Sequence, residues 1–277
     1  MNHITSINEP YPSPAAVAQA TTVHAQGNFR VASRKLPISK AGPIDAMGSR
    51  IGIPIPEMIF GDNLVSVTHV PTGWTVTFAA EPALDLVDKT GTDMLQVAHA
   101  TSWSSSREQT SAANIREVVK PYDWSYSTAY RGTLGPEEAV AAHPLAPGRD
   151  PIPLELLKRR DPILFFDEVM LYESELDDNG ISMLNVKVRV MEKRMLLLCR
   201  FFMRIDDVVV RVRDTRLYVD FERDLVIREY TAKEDRFDNV KRVSPVLPGS
   251  VSVTDNPAEP AHVRAHAGCH YGGDEGR

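Results

Sequence analysis

Nine basic side chains fall between Val186 and Tyr218: Lys187, Arg189, Lys193, Arg194, Arg200, Arg204, Arg211, Arg213 and Arg216. Four acids oppose them there (Glu192, Asp206, Asp207, Asp214), so the stretch carries +5 in a chain of net charge −6. Arginine offers a planar fork of donors that matches a carboxylate in two hydrogen bonds and stacks on aromatic rings. Arginines clustered near Phe201 and Phe202 therefore suit a groove for an acidic peptide or a chain-terminal carboxylate. Internal neutralisation is the competing reading, because six acids and no base lie between Phe165 and Gly180. It accounts for the set as a whole, whereas Arg200 and Arg204, beside the phenylalanines, read as functional.

Other chemistry finds little support. There is no Gly-rich phosphate loop followed by Lys, no Gly-x-Ser-x-Gly elbow and no His-Glu-x-x-His. The run from Glu175 to Gly180 resembles half of a calcium loop, but Val186 stands where the bidentate Glu is required. Asp178-Asn179-Gly180 reads instead as a hairpin turn. His262, His266, Cys269 and His270 could ligate a metal, yet they sit in a Gly-rich tail with no core to fix their geometry. The carboxylates Asp167, Glu168, Glu173, Glu175, Asp177 and Asp178 have no positioned nucleophile beside them and read as a solvated sheet face. No cofactor is implied. The one enzymatic alternative is a small-molecule pocket with Asp123 and Tyr126 as an acid/base pair.

The elements that would hold the arginines are strands. Period-two spacing puts Leu197, Cys199, Phe201, Met203 and Ile205 on one face, and Arg200 and Arg204 on the other with Leu196, Leu198 and Phe202. After a break at Asp206-Asp207, Val208, Val210 and Val212 alternate with Val209, Arg211 and Arg213. Ile163 to Glu173, Ile181 to Met191 and Asp224 to Tyr230 complete a five-strand antiparallel meander, favoured by the short connections. Upstream, Asn28–Leu36, Leu64–His69 and Trp74–Phe78 read as strands, with Gly61-Asp62-Asn63 and Pro71-Thr72-Gly73 as turns. Helices are expected over Glu81–Val87 and Pro153–Arg160, loops over 37–60 and 101–114, and an extended aromatic segment over 120–134. The expected class is α+β and β-rich, with disordered termini: an arm over residues 1–26, one domain over 27–234 and a tail over 235–277.

Bulk properties narrow the classes. Hydrophobic residues make up 43% and charged residues 25%, as in ordinary globular proteins. The negative balance argues against a general nucleic-acid binder. No window approaches the ~18 apolar residues of a membrane span, and the N-terminus lacks the blocks of a signal peptide. Two cysteines, Cys199 and Cys269, do not make a disulfide framework. A cytosolic protein is expected, with nuclear access, and no heptad seam demands more than a monomer.

Six blocks in order (PEMIFGDN, KPYDWSYSTAYRGTL, FFDEVMLYESELDDNGIS, VKVRVM, LLLCRFFMRIDDVVVRVRDTRLY and REYTAKE) resemble the TOR signalling pathway regulator family, or Tip-forty-one-like family, over residues 27–234. The resemblance implies a β-rich, non-catalytic cytosolic and nuclear protein that binds catalytic subunits of type 2A and related phosphatases. It also implies, as in fungi, a link to the Tap-forty-two (alpha-four-like) partner and to nutrient signalling below the TOR kinase. Those catalytic subunits end in a short acidic, aromatic tail with a free carboxylate, which the arginine face could accept. The positions that match the family's blocks are Asp62 and Asn63, Asp123 and Trp124, and Asp214, Arg216 and Tyr218. With Lys187, Arg189, Arg200, Arg204 and Arg211 they form the candidate phosphatase-binding set. Asp214, placed on this face, is expected to tolerate substitution like a surface residue. Glu81-Pro82 and the Pro-rich loop over 135–151 depart from the family pattern.

Overall fold

The computed structural model describes residues 12–87, 89, 127–135, 151–175 and 180–243. Two antiparallel sheets stack face to face. The first runs β1 (Thr21–Gln26), β2 (Phe29–Arg34), β4 (Leu64–His69), β5 (Trp74–Ala79) and β6 (Thr133–Leu134), in that spatial order. The second runs β11 (Leu225–Arg236), β10 (Val209–Asp220), β9 (Arg194–Ile205), β8 (Gly180–Met191), β7 (Ile163–Ser174) and β3 (Met58–Ile59). Short helices α1 (Pro14–Gln19), α2 (Ala41–Ile51), α3 (Ala80–Asp85), α4 (Leu154–Leu157) and α5 (Phe237–Val243) decorate the pair.

The five-strand meander is the body of the second sheet, and β3 adds a sixth strand at its edge. Alternation decides which face of each strand turns inward. Phe29, Val31, Val65, Val67, Trp74, Val76 and Phe78 from one sheet meet Val169, Leu171, Val186, Val188, Leu197, Phe201 and Leu217 from the other. All are at most 1% exposed and belong to one core. Each such side chain contributes about 1.5–3 kcal/mol on burial, so this seam fixes which way every strand faces.

Residues 127–135 tie the sheets together. Thr128 Oγ1 donates to the Ala83 carbonyl, and the Tyr130 hydroxyl donates to the Thr77 carbonyl. From the other side, Thr215 Oγ1 donates to the Tyr130 carbonyl. Gly132 has φ +86, and a Cβ there would stand 2.6 Å from Val76 Cγ2, so glycine is required twice over.

Several expectations are corrected. The arm expected over residues 1–26 instead holds α1 and β1. Ser13 caps the helix by accepting from the Ala16 N–H, and β1 gains its ladder from β2. The loop expected before residue 60 contains α2, despite Gly42, Pro43 and Gly48. Burial of Met47 and Ile51 stabilises it, and Gly52 ends it with φ +79. The last strand continues to Arg236 because β10 supplies a partner for every residue from Leu225 onward, and α5 follows it, so the tail boundary at 235 falls inside folded chain. The helix expected over Pro153–Arg160 is a single turn. The β9–β10 loop takes in Val208, with Asp207 in the left-handed region at φ 59. Asp178-Asn179, the segments 101–126 and 136–150, and the His/Cys tail lie outside the described residues.

Candidate functional site

Register assembles the outer face of the second sheet row by row. Ile181, Arg204, Val210 and Asp235 form one row across β8, β9, β10 and β11. Met183, Phe202, Val212 and Lys233 form the next, followed by Asn185, Arg200, Asp214 and Thr231. Then come Lys187, Leu198, Arg216 and Glu229, and lastly Arg189, Leu196, Tyr218 and Ile227. Lys187, Arg189, Arg200, Arg204, Asp214, Arg216 and Tyr218 therefore share one face, as alternation requires.

The centre of the face is an ion pair. Arg200 donates from Nε and Nη2 to the two carboxylate oxygens of Asp214, both at 2.8 Å, and Arg216 Nη2 lies 3.6 Å away. Asp214 is only 4% exposed, whereas the Arg200 side chain keeps 41% of its surface in solvent. The hydrogen bond to Asp214 pushes the Arg200 pKa up, against the opposing effect of burial. Asp214 is thus a buried anchor and not the tolerant surface residue expected. Arg204 Nε sits 2.7 Å from Asp206 Oδ1, an ion-pair distance without hydrogen-bond alignment. Lys187 pairs with Glu168 at 3.0 Å, and Asn185 donates to the same carboxylate. Among the described residues β7 therefore neutralises Lys187, while Arg200 and Arg216 draw on Asp214 of β10 and Arg204 on Asp206 of the loop before it. Between Arg200 and Arg204 lies the half-buried strip Met183–Phe202–Val212. Those apolar residues are absent from the candidate set, although the same period-two alternation puts them there.

Four candidates serve other purposes. Arg211 falls on the inward face, opposite Met203 on β9, because it lies an odd number of residues from Asp214. It is 7% exposed and donates to Glu234 and to Ser127 Oγ. That hydrogen bond holds the Glu234 carboxyl below its ordinary range, with burial opposing. Asn63 accepts from the Leu36 N–H at 2.6 Å and donates to the Met170 carbonyl at 2.8 Å, so it is a strut between the sheets. Asp62 stands in the turn beside it. Partial burial raises its pKa, and the positive charge of Arg34 opposes the rise. Tyr218 is buried where residues 152–161 cross the face: the Ile152 N–H donates to Glu229 and Arg194 Nη1 donates to the Leu156 carbonyl. Asp123, Trp124 and Tyr126 lie outside the described residues.

Nothing in the described residues builds a metal centre: no three His, Cys, Asp or Glu side chains converge. No described helix is long and apolar enough to cross a membrane. Two hollows among the described residues lie against α2. One, of about 370 Å³, is lined by Arg50, Ile51, Glu81, Pro82 and Asp85. Arg50 and Glu81 are locked together in a bidentate pair at 2.8 and 2.9 Å, so neither is a poised acid or base.

Comparison with known proteins matches residues 58–241 to the TIP41-like family. The TIP41-like protein of Rattus norvegicus is 41% identical over 222 residues, covering 80% of each chain. The Type 2A phosphatase activator TIP41 of Saccharomyces cerevisiae is 35% identical over 252 residues, or 86% of this chain and 70% of the yeast protein. Its namesake in Schizosaccharomyces pombe is 32% identical over 219 residues, covering 79% and 84%. The match spans every strand of the six-stranded sheet, with the arginine face and the Asp62–Asn63 turn inside it, and the chain belongs to the TIP41-like family.

Proposed function

We propose that this protein is a non-catalytic regulator of type 2A-like protein phosphatases, which binds their catalytic subunits through the outer face of the six-stranded sheet. The observation that carries the reading is the strip Met183–Phe202–Val212, bounded by Arg200 on one side and Arg204 on the other. Such a strip accepts an apolar or aromatic side chain while the two guanidiniums meet acidic groups, and the acidic, aromatic tail of a type 2A catalytic subunit has that chemistry. The names of the yeast relatives as phosphatase activators support the partner. In this reading the protein acts as a monomer in the cytoplasm and nucleus, in TOR nutrient signalling, alongside a Tap-forty-two/alpha-four-like partner.

The test is a calorimetric titration into a type 2A catalytic subunit, with its tail intact or removed, at two salt concentrations. Tail-dependent, salt-sensitive binding that drops at least about tenfold in Arg204→Glu is the expected result. Binding that ignores both the tail and Arg204 moves the interface off this face, and no binding refutes the phosphatase reading. Phosphatase assays in the same mixtures read the sign of the regulation.

A further inference from the structure

At the other end of the outer face, large apolar side chains stand in solvent. Ile163 is 53% exposed, Leu164 48% and Phe166 57%. They mark an open strand edge. β7 is the rim of its sheet there, because β3 pairs only with Tyr172 and Glu173. From Asp167 onward the rim is closed by the protein itself. The Asp167 carboxylate accepts from the Glu168 N–H and pairs with Lys35, Asn63 donates to the Met170 carbonyl, and the Phe60 N–H donates to the Leu171 carbonyl. Over Ile163–Phe166 no described backbone group bonds to that side, and a bulge at Leu164 turns two consecutive apolar residues outward.

Charge singles out what could cover this edge. Arg159 and Arg160 are exposed just ahead of it, and Arg189 lies directly across from Phe166. None of the three has an ion-pair partner among the described residues, while the neighbouring cations Lys158 and Arg194 pair with Glu155 and Asp161. Three guanidiniums without an ion-pair partner among the described residues thus lie just ahead of or across from three half-exposed apolar side chains, in a protein whose net charge is −6. Unpaired strand groups call for extended polypeptide backbone, the apolar side chains for alternating apolar residues, and the arginines for carboxylates. We infer that Ile163–Phe166 is a second docking edge, at which an extended segment of a partner protein, acidic and apolar in alternation, adds as a strand. The edge is separate from the strip around Phe202, and the inference does not depend on the phosphatase reading.

Three blocked peptides of strand length test it against the full, isotopically labelled chain: one alternating Glu and Val, one alternating Lys and Val, and the acidic peptide N-methylated at alternate amides. Sedimentation with phosphatidylserine vesicles runs in parallel. The acidic peptide is expected to shift amide signals over residues 159–166 and 189, and to bind at least about tenfold more tightly than the basic one. N-methylation and the double substitution Arg159→Glu/Arg160→Glu are each expected to abolish binding, with an unchanged circular dichroism spectrum confirming that the variant is folded. Equal binding of acidic and basic peptides, binding that survives N-methylation, or no shift at residues 159–166 overturns the inference. So does capture by vesicles without capture of the peptide, which would make the patch a membrane contact.

Discussion

The Arg200–Asp214 pair allows a sharp test of how the face is built, because its partners differ so much in burial. Arg200→Met removes the guanidinium and keeps the aliphatic stem. Asp214, 4% exposed, then loses two hydrogen bonds of 2.8 Å and retains only Arg216 at 3.6 Å. Charge-assisted bonds contribute about 1.5–3 kcal/mol each, but solvent reaches the 41%-exposed arginine and screens the pair, so the expected loss is about 2 kcal/mol. Asp214→Ala is expected to lose about 1 kcal/mol, because the released guanidiniums can turn to water. The double variant should then lose about 1.5 kcal/mol, a coupling of about 1.5 kcal/mol between the two positions. Urea unfolding of the four proteins measures this, with unchanged slopes confirming a common unfolded state. High salt should reduce the coupling only in part. Two outcomes would refute the reasoning: Asp214→Ala costing more than Arg200→Met, or a coupling below about 0.5 kcal/mol.

Three further outcomes follow from the fold. Asn63→Ala leaves the Leu36 N–H and the Met170 carbonyl without their partner and is expected to lower stability by about 2–3 kcal/mol in denaturant unfolding. A neutral result would return Asn63 to the list of contact residues. Gly132→Ala must hold a left-handed φ while its methyl meets Val76 and Phe78, an expected loss of about 2–4 kcal/mol in the same assay. For Asp167, burial favours the neutral acid, but hydrogen bonds from Lys35, Ser33 and the Glu168 N–H outweigh it and hold the carboxyl below its ordinary range. Its contribution is therefore complete above the unfolded value of about 3.9 and is lost as pH falls through the lower folded value. Asp167→Asn should flatten the acid limb of the stability profile relative to the parent, and an unchanged limb would contradict the assignment.

The arginine face was legible to the extent that alternation decides it. Arg200, Arg204 and Phe202 lie on the side that period two requires, and the long strands from Ile163 onward stand near their expected positions. Arg211 defeated the reading for a reason of parity. It follows Arg204 closely in sequence, but crossing the loop puts it opposite Met203, and its burial depends on Glu234, 23 residues away. Elements formed by partnership were the least visible. β3 is two residues long and exists because Tyr172 and Glu173 accept it, and β1 is a rim strand with no buried residue, whose only described ladder is with β2. α2 carries two glycines and a proline, so nothing local announces it, and packing of Met47 and Ile51 outweighs its poor propensity. Likewise, no residue pattern could show that Asp214 would be buried, since that depends on the side chains ringed around it.

The crossing of β3 from the first half of the chain into the sheet of the second bears on how the molecule comes apart. β3 leaves the first half to complete the rim of the sheet made by the second, while residues 127–135 hydrogen-bond to Ala83 and Thr77 on one side and to Thr215 on the other. Neither sheet can be withdrawn without breaking the other's bonds and exposing the shared seam. The two layers are therefore one cooperative unit, and heat or denaturant should unfold them in a single transition.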